Sequence, residues 1–146
     1  MQINFARPAL SALALGALMF AATPVFADTV AYKADLKGSA EVPANDSKGT
    51  GALDANYDTA SKKFSWTITY SGLTGSATAA HFHGPAAAGA NAPPVVPLTG
   101  ALTSPIKGDA TLTEAQLADL QAGRWYLNIH TDANKGGELR GQVVKK

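Results

Sequence analysis

Three histidines carry the clearest chemical signal in this chain: His81, His83 and, well downstream, His130. His81 and His83 are separated by one residue. On an extended strand that spacing sends both imidazoles to one face and Phe82 to the other. Rings placed this way can converge on one ion at about 2.0–2.1 Å per bond. Gly84-Pro85 follows at once and is expected to end the strand, leaving the pair at a rim. His130 shares a face with Tyr126 and Asn128 near the end of another expected strand. Three imidazoles suit copper, zinc, iron or nickel, and an open position would admit water or a small substrate. The competing use is hydrogen-bonded histidines bracing turns. Ligation is favoured because all three fall in two polar, strand-end segments.

The remaining donor set narrows the ion. The chain has no cysteine, and its two methionines, Met1 and Met19, lie in an N-terminal segment expected to be removed. Thiolate and thioether sites are therefore excluded, and imidazole, carboxylate, backbone or water must serve. Copper is the expected ion, as Cu(II) or a Cu(II)/Cu(I) couple, with zinc as the alternative. Asp132, two residues after His130, is a candidate fourth ligand or an acceptor for an imidazole N–H. Its commoner role is to start the turn Asp132-Ala133-Asn134. Glu138 and Arg140 share a face of the last strand and are expected to pair, and Tyr126 and Asn128 read as sheet-face residues rather than ligands. Catalytic residues are not assigned. No G-x-S-x-G elbow is present, the glycine-rich Gly84 to Gly89 lacks the Lys-Ser/Thr of a phosphate loop, and Asp46, Asp54 and Asp58 do not follow calcium-loop spacing.

The elements that must position these residues are mostly short strands. Val30 to Leu36 alternates polar and apolar residues, Gly49 to Tyr57 does so more weakly, and Lys63 to Leu73 puts Phe64, Trp66, Ile68 and Tyr70 on one face. Thr78 to His83, Val95 to Leu102, Trp125 to His130 and Glu138 to Val144 complete the expected strands, and Ala86 to Pro94 reads as an exposed loop. Thr113-Glu114-Ala115-Gln116 is a capping box for one short helix carrying Leu117 and Leu120, which Gly123 can end. This pattern predicts an all-β fold: a Greek-key or immunoglobulin-like β-sandwich or barrel with one short helix.

The 146 residues divide into a targeting segment and one domain. Arg7, the apolar run Pro8 to Ala22 and the small-residue end Val25-Phe26-Ala27 predict a signal peptide over 1–27, cleaved after Ala27. The expected domain is 28–146, periplasmic or secreted, with no membrane span after cleavage. Losing Arg7 takes the formal net charge from +1 to zero, which argues against nucleic acid as a partner.

Several motifs, in order, resemble the CHRD domain family: Glu41-Val42-Pro43, Ala80-His81-Phe82-His83-Gly84-Pro85-Ala86, Leu117 to Gly123, Tyr126-Leu127-Asn128-Ile129-His130-Thr131 and Gly137-Glu138-Leu139-Arg140-Gly141-Gln142. The resemblance covers essentially all of 28–146. It implies an immunoglobulin-like or related β-barrel and an exported protein, and says less about chemistry. The family includes domains of an extracellular growth-factor-binding protein, which implies an alternative: a metal-free protein-interaction or adhesion module with an unknown protein partner. The His-x-His pair is also similar to that of copper superoxide dismutases, although their disulfide cysteines and a second, zinc site are missing here. That likeness implies superoxide dismutation as the candidate enzyme activity, superoxide or another small anion as substrate, and Arg140 as an anion guide.

Overall fold

The computed structural model describes residue 2 and residues 27–146; the signal segment expected over 1–27 lies outside the described residues apart from Gln2 and Ala27. Nine strands and one helix follow in chain order: β1 (Thr29–Lys37), β2 (Thr50–Asp58), β3 (Lys63–Ser71), β4 (Ala77–His83), β5 (Pro94–Pro97), β6 (Ile106–Thr111), α1 (Glu114–Gln121), β7 (Tyr126–Thr131), β8 (Leu139–Gln142) and β9 (Val144–Lys145). They form one sheet in the order β5-β4-β7-β8-β1-β2-β3-β6, with β9 also pairing β1. The pairings are antiparallel.

The sheet curls until its two ends face each other. Phe64 of β3 and Phe82 of β4 lie far apart in strand order, yet their ring centroids are 5.4 Å apart in an edge-to-face contact. Trp66, Trp125 and Tyr32 join them at 5.1–6.0 Å, and Phe64, Phe82 and Trp125 are fully buried. These rings come from the odd or even positions that alternation sends inward, so period-2 patterning converts directly into a core. The result is an all-β, barrel-like sandwich with, among the described residues, one short α-helix, as the strand pattern predicts.

The helix follows its expected signals. The Thr113 hydroxyl accepts from Gln116 N–H at 3.2 Å, and the Gln116 side chain accepts from Thr113 N–H at 2.9 Å. Gly123, at φ +68°, ends it in the left-handed region. One strand expectation is corrected, and one strand is present that local pattern does not predict. Val95 to Leu102 shrinks to β5, and β6 pairs with β3 although its sequence, Ile-Lys-Gly-Asp-Ala-Thr, has little apolar alternation. Hydrogen bonding along β3 supports β6 where its own side chains give little help.

Phe64 touches four aromatic neighbours in this core. Phe64→Ala is expected to cost about 3–5 kcal/mol in urea unfolding. A loss under about 1 kcal/mol would mean that the two halves of the sheet are not packed through this ring.

Candidate metal centre

Strand register assembles the site. Pairing of β4 with β7 sets His81 opposite Asn128 and His83 opposite Tyr126; pairing of β7 with β8 sets Asn128 opposite Arg140 and Tyr126 opposite Gln142. Phe82 and Leu127 point into the core, so the intervening positions all project to the other face. On most antiparallel sheets such a face is solvated. Here Tyr126, Asn128 and Arg140 are only 2–3 % exposed. The Ala86 to Pro93 loop is stitched over them: Arg140 donates to Ala90 O at 2.5 Å and to Asn91 Oδ1 at 2.9 Å, and Tyr126 Oη donates to Ala92 O at 3.1 Å. The loop tip is exposed as expected, but its Ala90 to Ala92 backbone is part of the site.

His81, His83 and His130 come together on this face, with one nitrogen from each within 4.8 Å of the others. His81 Nδ1 lies 3.2 Å from His130 Nε2. His83 Nδ1 lies 2.9 Å from Ala92 O, and His130 Nδ1 lies 2.8 Å from Lys135 O. A carbonyl oxygen only accepts, so both Nδ1 atoms carry hydrogen, and in the neutral rings both Nε2 atoms present lone pairs. Those two Nε2 atoms each lie 3.0 Å from Asn128 Oδ1, itself an acceptor. Acceptors thus converge where a cation would satisfy them. Two donors bonded to one ion at about 2.05 Å and separated by 90–109° stand about 2.9–3.4 Å apart, and the 3.0 and 3.2 Å contacts fall in that range.

Electrostatics keep the rings ready to ligate. Burial lowers the pKa of His81, and the nearby His130 and His83 lower it further. For His83, burial outweighs the hydrogen bonds to Ala92 and Asn128 that favour its charged form, with His130 and Arg140 adding to the lowering. Tyr126 stacks on His83 with centroids 4.7 Å apart and planes 2° from parallel, and the Arg140 guanidinium carbon sits 3.5 Å from the centre of the Tyr126 ring.

The CHRD domain family matches this chain over residues 32–143, from within β1 to just past β8, and so includes all three histidines. The chain belongs to the CHRD domain family. No curated protein and no solved structure was found to match it.

In this CHRD domain Glu138, Arg140 and Asn128 depart from their sequence-based expectations, and Asp132 keeps its expected place in a turn. Arg140, the candidate anion guide, is buried beneath the loop and stacked on Tyr126. Asp132 is exposed in the turn after β7 and does not join the cluster. Glu138 and Arg140 do not pair. Glu138 accepts instead from Ser47 Oγ, Thr74 Oγ1 and Thr131 Oγ1 at 2.6–2.7 Å and from Thr74 N–H at 2.9 Å. Asn128, read from sequence as an ordinary sheet-face residue, is the group on which His83 and His130 meet. Glu41, 6 % exposed, was not anticipated in the site at all. Burial pushes its carboxyl up to about 7 against the pull of Arg140.

Burial opposes the charge of Glu138, but the hydroxyls of Thr131, Ser47 and Thr74 outweigh it and hold this carboxyl down at about 2, against 4.5 ordinarily. Its contribution to stability is therefore fully present above about pH 4.5 and is lost as the pH falls from there toward about 2. Glu138→Gln is expected to cost about 2–3 kcal/mol at pH 7 and to flatten the decline in stability across that window. Urea midpoints measured from pH 7 to pH 2 check this; an unchanged slope in the variant would contradict it.

Proposed function

We propose that this CHRD domain is an exported, periplasmic or secreted metal-binding protein that holds copper through His81, His83 and His130. The observation that carries this reading is the tautomer constraint. Ala92 O and Lys135 O take the Nδ1 hydrogens of His83 and His130, so their Nε2 lone pairs face inward beside His81 Nδ1. Asn128 Oδ1 gives these lone pairs no hydrogen, and even with His81 Nδ1 donating to His130 Nε2 the lone pair of His83 Nε2 is left unmatched. Copper is favoured over zinc by its higher affinity for nitrogen sites in the divalent series, and Cu(II) over Cu(I) by the absence of sulfur among the donors.

Copper bound here would supply one-electron chemistry, and superoxide dismutation is the enzymatic extension of the reading. The chain's own contribution is to keep the imidazoles neutral and aimed. Stacking by Tyr126 restrains His83, and the buried charge of Arg140 offers a field that attracts small anions without contacting them. Among the described residues no helix is long and apolar enough to cross a membrane.

Calorimetric titration of the apo protein with Cu(II) and Zn(II) tests the reading. One ion per chain is expected, with Cu(II) the tighter. His81→Ala, His83→Ala and His130→Ala are each expected to weaken Cu(II) on the order of 100-fold, about 2.7 kcal/mol. Because His81 and His83 have lowered pKa values, protons compete with the ion for these two rings only below the ordinary imidazole range, and loss of affinity through them is expected there. Absence of near-stoichiometric binding, or indifference to all three substitutions, would sink the proposal. The enzymatic extension requires in addition that the copper form dismute superoxide faster than free copper and lose that rate with the histidines.

A further inference from the structure

We infer that Asn128 Oδ1 is a fourth donor to the ion held by the three histidines, and that Glu41 is the positioning residue that turns this oxygen toward it. The inference rests on the three-histidine reading and adds an oxygen to it.

The position of Asn128 is set by the sheet. It lies at the centre of a row, with His81 opposite on β4 and Arg140 opposite on β8. Its side chain is 3 % exposed, so the amide cannot exchange one partner for solvent. Its Oδ1 stands 3.0 Å from the Nε2 atoms of both His83 and His130. As neutral rings these nitrogens have no hydrogen to give it, since both rings spend theirs on backbone carbonyls. Each of the two nitrogens stands from the oxygen at a separation that two donors on one ion adopt.

An amide can present either its oxygen or its nitrogen, and the group behind it decides which. Behind Asn128 lies the Glu41 carboxyl: a Cβ on Gly137 would stand 2.2 Å from Glu41 Oε1 and 2.9 Å from Asn128 Nδ2, so the amide nitrogen lies on the Glu41 side and Oδ1 faces the histidines. Gly137 makes the arrangement possible. It adopts φ +128°, and that Cβ would collide with Glu41 Oε1. Asn91 ties the same segment down from outside, donating from Nδ2 to Val42 O at 3.1 Å while its Oδ1 accepts from Arg140. The carboxyl thus acts on the metal site through Asn128 without touching a histidine, as carboxylates behind metal-bound groups commonly do.

Pulsed electron spin resonance of the Cu(II)-loaded full-length protein, carrying ¹³C-labelled asparagine, tests this without any substitution. A ¹³C coupling from a coordinated amide is expected beside the imidazole nitrogen couplings; nitrogen couplings with no ¹³C coupling would overturn the inference while leaving the three-histidine site standing. Asn128→Leu is expected to abolish the ¹³C coupling and weaken Cu(II) tenfold or more, with the imidazole couplings retained. Glu41→Leu is expected to weaken Cu(II) to a similar degree and reduce the ¹³C coupling, and Glu41→Gln, which keeps an acceptor oxygen, to restore both. Wild-type affinity and coupling in Glu41→Leu would overturn the role of Glu41. Failure of the wild-type protein to bind Cu(II) through its histidines would overturn this inference and the proposed function together.

Discussion

Two backbone carbonyls, Ala92 O and Lys135 O, constrain what the histidine cluster can be. Each takes the Nδ1 hydrogen of an imidazole, and each belongs to a segment with irregular backbone rather than to a strand. Remove either contact and the ring is free to adopt the other tautomer, after which the cluster could satisfy itself by ordinary hydrogen bonds. With both in place, lone pairs converge on Asn128 Oδ1. The loop over the face and the turn after β7 therefore have electronic consequences as well as steric ones, because they decide which nitrogen of each ring is basic.

The same constraint explains why the outer face of β7 is covered. Trp125, Leu127 and Ile129 fill the core, and Tyr126 and Asn128 on the opposite side are buried nearly as completely. Burying polar groups costs free energy unless each is paired. The pairing is extensive: Arg140 is hydrogen-bonded to Ala90 and Asn91 and stacked on Tyr126, Tyr126 is bonded to Ala92, and Gln142 donates to Ala86 O and Gly123 O. Glu138, surrounded by three hydroxyls, anchors the entry to β8. Glu41 Oε1, by contrast, has no hydrogen-bond partner, and burial raises the pKa of its carboxyl. A destabilising group kept at the back of the site is what a positioning role would require.

Much of this was legible from local pattern. Period-2 alternation located β1, β2, β3, β4 and β7, the capping box located α1, and His-x-His spacing on a strand put two imidazoles on one face. Features that depend on distant residues were not legible. β6 carries weak alternation and owes its conformation to β3. Glu138 and Arg140, two residues apart, suggested an ion pair, but each found partners from other parts of the chain. Asn128 looked like a solvated sheet residue because nothing local shows that a loop will cover it. The one available hint was its place between Tyr126 and His130 on the same strand face. Glu41 is brought behind Asn128 by the fold alone, and its motif, Glu41-Val42-Pro43, carries no chemical spacing that points to His83 or His130.

One ion is proposed to sit among His81 Nδ1, His83 Nε2 and His130 Nε2. Anomalous diffraction at the copper edge, from crystals of the Cu(II)-loaded protein, locates it. A single strong peak is expected within bonding distance, about 2.0–2.1 Å, of those three nitrogens. A peak elsewhere on the chain, or ordered histidines with no peak between them at full copper loading, would contradict it.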